Sequence, residues 1–148
     1  MILDAEAALA TNQTVTTGTD TGLVSENTYD LGNARDIGNG KPIYVVCVVE
    51  TTLDSTGDDD PLAVELITDG DAALGSATVL QRLFTLPAVA PAGTKKVGVI
   101  APGHSYERYL GVQFLSTNDS ALSAGAVSVY LTESPDEYQS YADNITIS

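Results

Sequence analysis

The residues able to do chemistry in this chain are few and poorly placed to cooperate. His104, in "PGHSYERY", is the one histidine. A hydrolytic triad needs it beside a nucleophile and an orienting carboxylate, yet its neighbour Ser105 points away from the ring if the segment is extended. A metal enzyme of the cupin sort wants several histidines. Cys47 is the one cysteine, inside the apolar run "IYVVCVVE", so neither a disulfide framework nor a cysteine metal cluster can form, and a small buried hydrophobe is expected. Asp54, Asp58, Asp59 and Asp60 could offer oxygens to a calcium ion, but lack the alternating spacing and terminal glutamate of an EF-hand loop, which favours a solvated acidic turn. The stretch "DLGNARDIGNGKPIYVV" resembles a phosphate-binding loop only in glycine content. Five residues separate Gly32 from Gly38, Lys41 precedes Pro42, and an apolar strand follows where a Walker loop needs a helix. The expectation is a protein that is not an enzyme and uses no cofactor or metal.

Gly38-Asn39-Gly40 has the residues that tolerate positive φ, so Gly38 and Gly40 read as shaping a corner, with Arg35 and Asp36 hydrogen-bonding across it and Pro42 opening a strand. Arg108 is the more informative cation. In a strand it shares a face with Leu110, Val112 and Phe114, while Glu107 points the other way, so these adjacent charges cannot pair. Its stem is expected to lie over the core rim and its guanidinium to meet a carboxylate from a neighbouring connection, Asp30 or Asp36.

The elements that must position these side chains are strands. Apolar runs of five to nine residues alternate with clusters of Gly, Asp, Asn, Ser, Thr and Pro, without sustained helical periodicity. The pattern predicts strands at Thr14–Thr17, Glu26–Leu31, Pro42–Glu50, Leu62–Thr68, Thr78–Phe84, Lys95–Ile100, Tyr106–Leu115 and Ala126–Thr132, with a ninth candidate at Asn144–Ile147. Eight or nine antiparallel strands in 148 residues imply an all-β, two-sheet sandwich or jelly roll. Leu62, Val64 and Leu66 oppose Ala63 and Glu65, and Val127, Val129 and Leu131 oppose Ala126, Ser128 and Tyr130, so both strands are expected to have one wet face. Ile43–Val49 is apolar on both faces, and the outer residues Tyr44, Val46 and Val48 call for cover by an arm, a loop or another subunit.

Length and charge narrow the role. The 148 residues suit a single domain, read as a body over 1–133 and a polar tail over 134–148. No apolar run reaches membrane-spanning length, and "MILDAEAALA" lacks the basic start of a secretory signal. Six basic against 20 acidic residues give a formal charge of −14, which repels nucleic acid and anionic membranes and asks for a neutral or basic partner.

In order, "MILDAE", "YDLGNARDIGNGKPIYVVCVV", "LAVELIT", "SATVL", "ERYLGVQF" and "LSAGAVSVYLT" resemble a family of small capsid decoration, or cement, proteins of tailed bacteriophages. The resemblance runs from Met1 to about Thr132 and is most specific at "DLG-x-ARDIG-x-G-x-P-x-Y", "ERYLG" and "AGAVS". It implies a jelly-roll sandwich on the exterior of the virion capsid, made in the host cytoplasm, bridging capsomers of the major capsid protein. It further implies self-association, as a dimer or alternatively a trimer, and carries no catalytic residues. Contacts are then expected from Ile2 and Leu3, from Tyr44, Val46 and Val48, and from Tyr138 and Tyr141 of the tail. The competing expectation is a carbohydrate- or receptor-binding β module of a phage fibre, weakened by the absence of Trp.

Overall fold

The computed structural model describes residues 8–16, 19, 22–32, 42–55, 61–101, 103–117 and 122–132. Among them are nine strands and no helix: β1 (Ala8–Thr14), β2 (Leu23–Val24), β3 (Tyr29–Asp30), β4 (Tyr44–Asp54), β5 (Leu62–Asp69), β6 (Thr78–Leu86), β7 (Lys95–Val99), β8 (Tyr109–Ser116) and β9 (Ala124–Thr132). One sheet has the order β1-β9-β4-β7 and the other β2-β8-β5-β6, with β3 also on β8; the pairings are antiparallel. The chain switches sheets repeatedly, and among the described residues the first and last strands are neighbours, which is the order of a jelly roll. The protein is a β-sandwich of the expected class.

The core lies where the inner residues of the two sheets meet. Val45, Cys47, Val49 and Leu53 from β4 and Val127, Val129 and Leu131 from β9 face Leu62, Val64 and Leu66 of β5 and Leu110, Val112 and Phe114 of β8. These are the alternate positions of strands rich in β-branched and aromatic residues, so the period of two in the sequence becomes one apolar surface per sheet. On one side the sandwich is closed by β6 and β7. A Cβ at Gly98 would lie 3.0 Å from Phe84 Cδ2 and 3.1 Å from Leu83 Cβ, so the missing side chain lets the two strands approach. Gln81 completes this seam. Its Nε2 donates to the Val99 carbonyl at 2.9 Å, and its Oε1 accepts from the Ala101 N–H at 3.0 Å. A side-chain amide thus stands in for a neighbouring strand.

Three expectations are corrected. The first strand is Ala8–Thr14 rather than Thr14–Thr17, an irregular strand with two register shifts against β9 and Asn12 at φ 49°. Its alanines and asparagine carry little strand preference, and pairing with β9 decides its state. Strand β5 has no wet face, for all eight of its residues are buried. It lies between β8 and β6; Gln113 and Arg82 reach over Glu65, at 3.2 and 3.4 Å. Leu74, buried and at φ 55°, packs against Gly111, the residue registered with Ile67. The Asp69 carboxylate pins that covering loop through the Asp71 and Ser76 N–H groups at 3.2 and 2.8 Å. In β9 the residues expected to be wet, Ala126 and Ser128, are buried and Tyr130 is half-buried; the Asn12 N–H donates to Ser128 Oγ at 2.9 Å. The ninth candidate strand, Asn144–Ile147, lies outside the described residues.

Candidate interaction surface

Strand β4 puts Val45, Cys47 and Val49 into the core and turns Tyr44, Val46 and Val48 outward. Tyr44 and Val48 are half-buried, whereas Val46 is fully buried within the chain and has no side-chain surface to offer a partner. Opposite them in register stand Val99, Val97 and Lys95 of β7. Val97 and Val99 retain 42% and 49% of their surface, so the outer face of this sheet carries an uncovered apolar strip along its β7 side. Lys95 shares this face, whereas the exposed Lys96, in register with Cys47, belongs to the opposite face of the strand. Strand β7 is legible in the sequence; the exposure of Val97 and Val99 is not, because alternation does not tell which face of a strand its neighbours leave uncovered.

Arg108 and Asp30 meet as the sequence suggests. The Arg108 Nε and Nη2 donate to the two carboxylate oxygens of Asp30 at 2.9 Å each, with the guanidinium 5.1 Å over the Tyr109 ring. Arg108 lies one residue before β8, and Leu110, Val112 and Phe114 beyond it are all core. The fork and the Gly32 N–H, at 2.7 Å, hold the Asp30 carboxyl down at about 2; the same ion pair raises Arg108. The Leu31 N–H donates to the Arg108 carbonyl at 2.8 Å, and Tyr29 is in register with Leu110. The "DLG" of residues 30–32 and the "ERYLG" of residues 107–111 are therefore one joint, closed by side chain and backbone together.

The remaining reactive types are committed to structure. His104 Nε2 lies 3.1 Å from Gln81 Oε1 and its ring meets Tyr106 edge-on at 6.0 Å. Because the same oxygen accepts the Ala101 N–H, the histidine nitrogen serves as donor and anchors the seam. Burial, then the nearby Glu50 charge, pushes the Cys47 thiol up to about 12, leaving no thiolate for nucleophilic chemistry. Among the described residues no group of three or more His, Cys, Asp and Glu side chains could hold a metal ion. Asp54 accepts the Ser55 N–H at 2.9 Å, while Asp58, Asp59 and Asp60 lie outside the described residues. So do Ile2, Leu3, Arg35, Asp36, Gly38, Gly40, Tyr138 and Tyr141. Gln81 and the valine pair Val97 and Val99 are the features that sequence reasoning missed.

Residues 9–131 match the family model Bbp16. The match covers most of the 148-residue chain, and the protein belongs to the Bbp16 family. No curated protein matches the chain significantly.

Proposed function

We propose that this protein is a capsid cement protein of a tailed bacteriophage, bound to the outer surface of the shell and bridging capsomers of its major capsid protein. One observation supports this most: the described parts of the segments that carry the resemblance to cement proteins form joints of the β-sandwich. "DLG" and "ERYLG" close on one another through Asp30, Leu31 and Arg108. "AGAVS" contributes Gly125, whose carbonyl accepts the Val15 N–H at 3.1 Å and whose α-carbon faces Leu53. These described residues thus serve the scaffold, in keeping with a structural role. The histidine, the cysteine and the two described arginines serve that scaffold too.

The mechanism is reinforcement by repetition. An interface on the order of 1,600 Å² per copy stabilises only the shell state to which it is complementary. Many modest contributions then add across seams that genome packing strains. A formal charge of −14 suits an exterior position, where it repels released DNA.

The test is to mix the purified protein with expanded empty heads of the phage that encodes it, and separately with a glycan array. Saturable binding to heads in a fixed ratio to capsid subunits, with a raised head disruption temperature, is the expected result. Glycan binding without head binding would assign the protein instead to the fibre-module class.

A further inference from the structure

We propose that Gln13 and Gln81 are a matched pair of latches, one along each side of the sandwich, that fasten the two sheets together and keep their edge strands from pairing with another chain. This goes beyond the cement reading and does not rest on it. Gln13 lies on β1, an edge of one sheet, and reaches the end of β2, an edge of the other; Gln81 lies on β6 and reaches the end of β7. Gln13 Nε2 donates to the Val24 carbonyl at 3.0 Å, and its Oε1 accepts the Glu26 N–H at 2.9 Å. The Gln81 amide does the same with the Val99 carbonyl and the Ala101 N–H, at 2.9 and 3.0 Å.

Each glutamine thus takes the carbonyl of an edge strand's last residue and the N–H two residues on. The residue between is turned inward in both cases. The Ser25 N–H donates to the Val112 carbonyl and the Ile100 N–H to the Ile43 carbonyl, and both residues are buried. Alternation explains the match: where one residue bonds to its own sheet, the residues before and after it direct their backbone groups outward. A neighbouring strand would fill that pair of groups, and here one side-chain amide does. A carboxylate could only accept and an ammonium only donate, whereas an amide does both.

Neighbouring groups reinforce both latches. On the first side the Glu26 carboxylate accepts the Thr11 N–H at 2.8 Å, and the Asn27 N–H donates to the Leu9 carbonyl at 3.0 Å, so backbone groups of β1 are also bonded across the gap. On the second, His104 Nε2 lies 3.1 Å from Gln81 Oε1, and Gly98 lets β7 sit close against Leu83 and Phe84. An edge that presents unpaired N–H and carbonyl groups is a template for a strand of another chain. The two half-buried glutamines remove that template at the ends of β2 and β7. Any partner is therefore met there by side chains, not by an added strand.

The decisive experiment compares wild type with Gln13→Met, Gln81→Met, the double variant, and Gln113→Met. Methionine keeps the unbranched shape of glutamine without its hydrogen bonds. Gln113 is the control, for its amide donates to Glu65 Oε1 between the central strands β8 and β5 and spans neither side. In dilute solution, hydrogen exchange at the Glu26 N–H should quicken about five- to tenfold in Gln13→Met, and at the Ala101 N–H by the same factor in Gln81→Met. Each change should leave the other side as it was. As the protein is concentrated, sedimentation should shift the double variant to heavier species, while wild type and Gln113→Met keep a common state. In those species exchange at the two N–H groups should slow again, because a strand of a second copy now bonds them. A folded double variant that sediments as wild type at every concentration overturns the proposal, as does equal association of Gln113→Met. Heavier species in which both N–H groups stay fast overturn it too, since association then uses another surface. If the double variant is unfolded by circular dichroism, the two single variants carry the same comparison, each with one side released.

Discussion

Gly125 shows at the level of one residue why the sequence motifs read as structure. It sits at φ 141° in β9, and a Cβ there would lie 3.2 Å from the Leu53 α-carbon and closer still to its buried side chain. Backbone cannot retreat as a flexible side chain can, so Gly125→Ala should destabilise the fold by about 2–4 kcal/mol, read from chemical denaturation. Asp30 gives a prediction with a defined sign. Its folded-state carboxyl is held near 2 against an ordinary 3.8, because the Arg108 fork and the Gly32 N–H favour the charged form. A carboxylate depressed in the folded state adds stability above the ordinary value, and that contribution is lost as pH falls from about 4 towards about 2. Melting curves of Asp30→Asn and wild type should therefore differ at neutral pH and converge at the acid end of that window. The effect is small, since both partners are about half exposed. Both residues could be picked out in the sequence. The choice of Asp30 as a partner was open there, because a long-range pair depends on which connection the sheet brings alongside.

At the scale of the strands, the β6–β7 seam depends on one amide. Gln81→Ala removes the acceptor of the Ala101 N–H and the donor to Val99. Hydrogen exchange at Ala101 should then quicken about five- to tenfold, the equivalent of one hydrogen bond of ~1 kcal/mol, with little change at β5. This seam was hidden in the sequence because a polar residue in an alternating strand reads as a wet position. The central strands were legible, since β4, β5, β8 and β9 combine β-branched residues with turn chemistry at their ends. What alternation could not supply was depth. Ala63, Glu65 and Ser128 look solvent-facing by type and are buried, because burial on the second face depends on loops and side chains arriving from elsewhere. Strand β1 is not legible for the related reason that "ALATNQT" has little intrinsic strand signal and acquires its state from β9.

For the whole molecule the governing quantity is charge. With 20 acidic and 6 basic residues, the folded chain confines much like charge to one small body, which destabilises the compact state through self-repulsion. Raising the salt from about 20 to about 300 mM shortens the Debye length from roughly 20 Å to under 6 Å. Net repulsion is then screened, so the melting temperature should rise with salt even though the exposed Asp30–Arg108 pair weakens. Binding to a neutral or basic shell surface should respond with the opposite sign, because the same screening removes the long-range attraction that brings the two together. The two trends are separable by calorimetry of the free protein and titration of empty heads across one salt series. If binding instead strengthened with salt in step with stability, apolar contact would have to carry recognition without help from the chain's field. The acidic surface would then serve solubility alone.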